Sequence, residues 1–235
     1  MHRSEDHATK PPNRPRVAPK QDIRDRFGER RQAEHYRDRY VKGKRQRTHQ
    51  REASALALLL QRFGLMRFIL DVASGHGRFA RLLSEHTGRL IQLDASRHML
   101  DLSREDHPLP SDRSGYVQAD AGRLPLADDS VELVFCHRFL NHVPDPAIRR
   151  TILRELARVS RGYVIVSCLN AHVLIRAIRR LYARVTHAPA DQSITVGELL
   201  DSAKEAGLTL VSRTPIRRLG RTAAYLSFRK AGGMI

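Results

Sequence analysis

The segment Ile69-Leu70-Asp71-Val72-Ala73-Ser74-Gly75-His76-Gly77-Arg78-Phe79 decides the fold. An apolar run enters a turn of small residues, and a helical stretch over 79–85 follows. Gly75 and Gly77 let the backbone approach a ligand closely, and the helix behind them presents free N–H groups. A glycine-rich turn alone is a weak signal. Its place between a strand and a helix strengthens it.

Outward from this turn, short apolar runs alternate with helical stretches. Residues 68–72, 90–93, 116–119, 131–135 and 163–167 read as strands, each as short as a strand buried in a parallel sheet. The helix over 79–85 is expected to end on Gly88 as a C-cap. A helix over 97–104 starts after Ser96 as N-cap, and one over 148–159 follows Asp145-Pro146, an N-cap with proline at the first helical position. This alternation predicts a doubly wound, mostly parallel α/β sheet. Past a helix over 198–205, residues 208–212 and 223–228 read as two strands joined by an Arg-rich loop. So close a connection favours an antiparallel pair.

Two acids follow the turn at informative places. Asp94 ends the second strand, 23 residues beyond Asp71. A carboxylate there can accept both hydroxyls of a ribose. Its alternative role, starting the next helix, is already filled by Ser96. Asp120 ends the third strand, where it can accept from the exocyclic amine of an adenine while the Ala121 N–H donates to a ring nitrogen. Taken alone, Asp120 reads equally well as a solvated turn residue.

The formal charge of +17 is the unusual bulk property. Residues 1–50 hold 15 Lys/Arg against 7 Asp/Glu, so about half the excess lies there. Such a surface attracts nucleic acid or an anionic membrane, or it simply solvates the fold. Residues 1–50 are expected to form a basic, partly disordered arm, with Pro11, Pro12, Pro15 and Pro19 at its start and Tyr36 and Tyr40 among the arginines. Residues 22–50 can become helical when docked, but their apolar positions are too few to fix a helix. Residues 51–235 form the folded domain, opened by Leu56, Leu59, Leu60 and Phe63 at helical spacing. No apolar run is long enough to span a membrane, and the N-terminus has no signal core. Two cysteines, Cys136 and Cys168, make no disulfide framework. A cytoplasmic setting is the expectation.

The stretches Asp71 to Gly77, Tyr116 to Cys136 and Phe139-Leu140-Asn141-His142-Val143-Pro144-Asp145-Pro146 resemble the class I S-adenosylmethionine-dependent methyltransferases, in the branch called methyltransferase type 11. The resemblance runs over about residues 51–230. It implies seven strands with the last antiparallel and inserted beside the sixth. It implies S-adenosylmethionine as cofactor, held by Asp71, Ala73, Gly75, Gly77, Asp94, Ala95, Met99, Asp120, Ala121 and the segment from Cys136. Ala73 replaces the first glycine of the usual motif, and Glu132 replaces an aspartate in the fourth strand.

A methyl-transfer site mainly has to position its reactants, and a base is needed only for a protonated acceptor. His137 and His142 are the candidates, with a structural role for His142 as the alternative. Two histidines five apart without further ligands give no zinc site, and no metal is expected. A helix within 170–192 is expected to roof the acceptor pocket. Val173, Leu174, Ala177, Ile178, Leu181, Tyr182 and Val185 fall on one face and Arg176, Arg179, Arg180 and Arg184 on the other. Such a helix can lid a site, lie on an anionic membrane or clamp a phosphate.

The expected function is methylation of a small molecule or lipid precursor. The first alternative is an RNA methyltransferase. The segment Cys136-His137-Arg138-Phe139 lacks the Asn/Asp-Pro-Pro-aromatic turn of base amino-group methylation. No proline precedes Cys136, as cytosine C5 methylation would want. The second alternative is a non-catalytic binding module, which would have no need of Gly75, Gly77, Asp94 and Asp120.

Overall fold

A computed structural model describes residues 28–40, 43–143, 145–170, 194–216 and 222–232. Its centre is one seven-stranded sheet in the order β3-β2-β1-β4-β5-β7-β6. The strands are β1 (Met66–Val72), β2 (Thr87–Asp94), β3 (Ser114–Gln118), β4 (Val131–Cys136), β5 (Ser160–Asn170), β6 (Leu208–Pro215) and β7 (Thr222–Lys230). The first five pair in parallel, and β7 runs antiparallel between β5 and β6. This is the arrangement expected, including the inserted last strand.

Among the described residues six helices accompany the sheet: α1 (Arg30–Asp38), α2 (Gly43–Leu60), α3 (Ala80–Ser84), α4 (Arg97–Asp106), α5 (Pro146–Val159) and α6 (Val196–Glu205). Strand residues alternate between two apolar layers, as the two-residue period requires. Leu70, Val72, Val134, Cys136, Val164 and Val166 face α5 and α6 through Leu153, Leu156 and Leu199. Ile69, Leu133, Phe135 and Ile165 face α2 and α3 through Leu56, Leu59, Leu60 and Leu83. Both faces are covered, as a parallel sheet needs.

The expected caps hold for two helices. The Ser96 hydroxyl accepts the Met99 N–H at 3.3 Å, and Asp145 accepts the Ala147 N–H at 2.7 Å beside Pro146. Gly88 is no C-cap. Helix α3 stops at Ser84, and β2 already begins at Thr87, paired with Met66, so Gly88 is a strand residue. The departure from the usual aspartate at Glu132 has a structural use: its carboxylate accepts the Phe68 N–H at 2.8 Å and pairs with Arg161, tying the start of β1 to β4 and β5.

The N-terminal region differs most from the sequence reading. Residue 50, where the arm was taken to end, lies inside α2. Helix α1 docks on α4, with Ala33 buried against Met99 and Leu102, and with Arg30–Glu105 and Arg37–Asp106 ion pairs along its flank. A short sequence poor in apolar residues is held by Ala33, the Tyr36 ring and charges, which apolar periodicity does not register. Residues 1–27 and 171–193 lie outside the described residues, and with them the helix expected within 170–192.

Candidate functional site

The turn after β1 lies at the C-terminal rim of the sheet, where open α/β sheets place their ligands. It uses the left-handed region three times, at Ala73 (φ 56°), Gly75 (φ 57°) and Gly77 (φ 74°). The alanine in place of the usual glycine therefore sits in a backbone state that costs an L-residue about 1–2 kcal/mol. Gly77 has a steric reason as well: a Cβ there would stand 2.0 Å from Ser103 Oγ. A Cβ on Gly75 would meet nothing within 4 Å, so that side of the turn is open.

Backbone and carboxylate bonds gather the ends of three strands. Asp94 Oδ2 accepts the Gly75 N–H at 2.8 Å, and its Oδ1 accepts the Ser96 N–H at 2.9 Å. The Ser74 N–H donates to Leu93 O at 3.0 Å, and the Ala119 N–H donates to Asp94 O at 3.1 Å. Asp120 turns its Oδ1 to the Gly122 N–H at 2.8 Å beside buried Ala121. Burial pushes the Asp94 carboxyl above the usual range, against the pull of its backbone donors. Asp71, buried at the end of β1, is pushed up by burial and then by Asp94. Gly75, Gly77, Asp94, Asp120 and Ala121 are thus brought to one part of the rim. Ala95 is exposed beside them, whereas Met99 and Cys136 are core residues. The Cys136 thiol is raised by burial and then by Asp71, which makes it a poor nucleophile.

A second cluster occupies the rim over β4, β5 and β7. Its centre is Glu52 of α2, only 1% exposed. Arg138 forms an ion pair with its carboxylate, and Arg78 Nη1 lies 3.5 Å away. His137 Nε2 stands at 3.4 Å, in electrostatic contact without hydrogen-bond alignment. Tyr225 of β7 donates its hydroxyl to the Glu52 backbone carbonyl at 3.3 Å. Burial raises the Glu52 carboxyl, but its cationic neighbours overcome this and hold it at about 2. Burial lowers His137 to about 4 against the opposing charge of Glu52. His137 is therefore neutral at neutral pH, and the lasting counter-charges of Glu52 are the two guanidiniums.

The two histidines considered as bases occupy different settings. The His137 side chain is buried against Phe79, Phe135 and Tyr225. His142 closes the single 3-10 turn Leu140–His142 and is exposed. Over the glycine turn, His76 is buried beneath Tyr36 and Tyr40, with ring centroids 6.2 and 6.1 Å away. Burial, then Arg78, lowers it to about 3. Arg78 in turn lies 4.0 Å from the Tyr40 ring centroid. Sequence reasoning passed over Glu52, Arg78, Arg138 and Tyr225. One signal was present: Glu52 precedes Leu56 by four and Leu59 by seven, a carboxylate on the apolar face of its helix.

The family model described as a methyltransferase domain matches residues 70–166. The chain is 31% identical over 148 residues to a malonyl-[acyl-carrier protein] O-methyltransferase of Marinomonas sp., covering 61% of this chain and 53% of that protein. It is 30% identical over 156 residues to a ubiquinone biosynthesis O-methyltransferase of Bordetella bronchiseptica, covering 60% and 61%. Among solved structures, magnesium protoporphyrin IX methyltransferase from Synechocystis PCC 6803 superposes with a TM-score of 0.70 at 15% identity, over 88% of this chain and 98% of that one. Residues 70–166 thus match a methyltransferase domain, and the chain has the fold of that solved methyltransferase. The chain spans 53% and 61% of the length of these two curated relatives.

Proposed function

We propose that the protein transfers a methyl group from S-adenosylmethionine to a small molecule. The observation that carries this is the turn Ala73–Gly77, open above Gly75 and tied to Asp94 at the adjoining strand end. The cofactor fits the residues present. A Cβ at Gly75 would point into free space, and the hydroxyl of Ser74 and the ring nitrogens of His76 are buried without partners among the described residues. Asp94, with Ala95 beside it, would take the ribose hydroxyls. Asp120 and the Ala121 N–H would take the adenine. Gly75 and Gly77 would admit the rest against the backbone, with Asp71 and Met99 supporting the turn from below.

When bound, the cofactor supplies an electrophilic methyl group on a sulfonium. The protein's own task is then to align an acceptor and exclude water, which can lower a barrier by about 7–11 kcal/mol. Tyr36 and Tyr40 cover the turn and perform the exclusion. Where the acceptor is protonated, His142, exposed after β4, is better placed to take a proton than His137, whose nitrogen faces Glu52. The relatives named for malonyl-[acyl-carrier protein] and ubiquinone biosynthesis favour a small or lipid-like acceptor. The charge of +17 favours a second reading, RNA as acceptor or docking partner through residues 1–50.

The test follows formation of S-adenosylhomocysteine by the full chain. Low-molecular-weight extracts and lipid extracts are compared with total RNA as acceptor pools. Turnover with a small-molecule or lipid pool is the expected result. Turnover with RNA alone would replace the first reading by the second.

A further inference from the structure

Cofactor and acceptor must occupy different parts of the rim. The glycine turn, Asp94 and Asp120 lie over β1, β2 and β3, so an acceptor has the side over β4, β5 and β7, where the Glu52 cluster stands. That cluster is unbalanced. It holds two guanidiniums and one carboxylate, and its histidine is neutral at neutral pH. Asp71 also feels Arg78, but burial and Asp94 favour its neutral form. The Tyr40 ring face offsets part of the Arg78 charge. Among the described residues, the one ion pair of the Arg138 guanidinium is with Glu52, Tyr36 and Tyr40 lie near it, and its side chain is 26% exposed. A cation set in a partly dry site calls for a second anion.

The backbone at Arg138 points the same way. Its φ of 54° is in the left-handed region, which is uncommon for a residue with a long side chain. The Arg138 N–H donates to Ser167 Oγ at 2.6 Å, so β5 helps hold this conformation just past the end of β4. Strain kept in place by a neighbouring strand marks a position that serves something other than stability. Close by in sequence, both ends of the Asn141 amide are buried without hydrogen-bond partners among the described residues, leaving a neutral donor and acceptor on the same rim segment.

We propose that Arg138, with Glu52 and Arg78 behind it, is an anion-binding subsite that takes a carboxylate or phosphate group of the acceptor. Glu52 fixes one edge of the guanidinium fork, and the remaining N–H groups donate to a planar or tetrahedral oxyanion. The proposal rests on the methyl-transfer reading for the word acceptor. The subsite itself can be tested without it.

The experiment titrates benzoate, phenyl phosphate and neutral benzamide into the full chain by calorimetry, with and without S-adenosylhomocysteine. Saturable one-to-one binding of at least one anion, about tenfold or more tighter than benzamide, is expected. The stronger of the two anions assigns carboxylate or phosphate. Arg138→Gln should weaken that anion about tenfold while leaving S-adenosylhomocysteine affinity in place, and Arg138→Lys should restore part of the loss. Arg154→Gln, an exposed arginine on α5, should change nothing, which separates the subsite from the general positive charge. Equal binding of anion and amide to the unaltered protein overturns the proposal, whether or not Arg138→Gln folds. So does an Arg138→Gln protein that keeps full anion affinity. Anion binding without any S-adenosylhomocysteine binding would leave the subsite standing and overturn the methyl-transfer reading.

Discussion

The two halves of the sheet rim are built in opposite ways. Over β1, β2 and β3, the carboxylates meet backbone N–H groups close in sequence: Gly75 meets Asp94 across 19 residues, and Asp120 meets Gly122 across two. Over β4, β5 and β7, side chains from distant places converge on one buried carboxylate. Tyr225 reaches the Glu52 backbone across 173 residues. The first half is a local motif whose cost is backbone strain. The second is a tertiary assembly whose cost is desolvated charge, and it exists only when α2 is seated on the sheet.

The largest expected effect falls on the second half. Glu52→Ala leaves Arg78 and Arg138 without their common anion and should cost about 3–5 kcal/mol of unfolding free energy, read by urea denaturation. A loss below about 1 kcal/mol, the scale of a solvent-exposed pair, would mean that water screens these guanidiniums and the two halves do not differ as described. Since its folded pKa of about 2 lies below the ordinary 4.5, Glu52 contributes this stability above about pH 4.5 and loses it as the pH falls toward 2.

Acid should affect both halves earlier, through their histidines. His76 at about 3 and His137 at about 4 stay neutral in the folded chain, while the unfolded chain takes up protons below about 6.5. The unfolded state then binds more protons, so stability falls with pH from about 6.5 downward, by up to about 1.4 kcal/mol per pH unit for each histidine. Urea midpoints at pH 7, 6 and 5 measure the slope. Burial lowers His49 and His107 as well, so His76→Phe should remove part of it. An unchanged slope would place the acid sensitivity elsewhere.

Within the first half, two glycines should separate. Gly77→Ala meets Ser103 Oγ at 2.0 Å and takes a positive φ, and it should cost about 2 kcal/mol or more. Gly75→Ala finds open space and should cost about 1 kcal/mol, for its φ alone. It should nevertheless weaken cofactor binding, because its methyl enters the proposed site. Equal thermal shifts for the two variants would contradict the packing described beneath the turn.

The smallest effect belongs to the cysteines. Cys136→Ser and Cys168→Ser should each keep methyl transfer, since both thiols are buried and held protonated. Lost turnover with intact cofactor binding would bring a thiolate mechanism back.

The same contrast decides how much was legible in the sequence. The strand-turn-helix around Gly75 and Gly77, the acids at two strand ends and the antiparallel hairpin could all be read, because local spacing specifies them. Strand ends were placed short, since the outer residues of β2 and β5 include Arg, Thr and Ser, which join the ladder without any apolar signal. Helix α1 was legible only as a segment able to become helical when docked, because Ala33, Tyr36 and flanking ion pairs hold it without a broad apolar stripe. The Glu52 cluster was missed because residues 52, 78, 138 and 225 share no spacing rule. Only folding brings them together.

The central claim is that the turn at Gly75 and the carboxylate of Asp94 hold S-adenosylmethionine, and calorimetry with S-adenosylhomocysteine tests it most directly. The unaltered chain should bind one equivalent. Asp94→Ala should bind more weakly by about tenfold to a hundredfold, the worth of charge-assisted hydrogen bonds of about 1.5–3 kcal/mol. No heat with the unaltered chain, or equal affinity in the folded variant, would contradict the account.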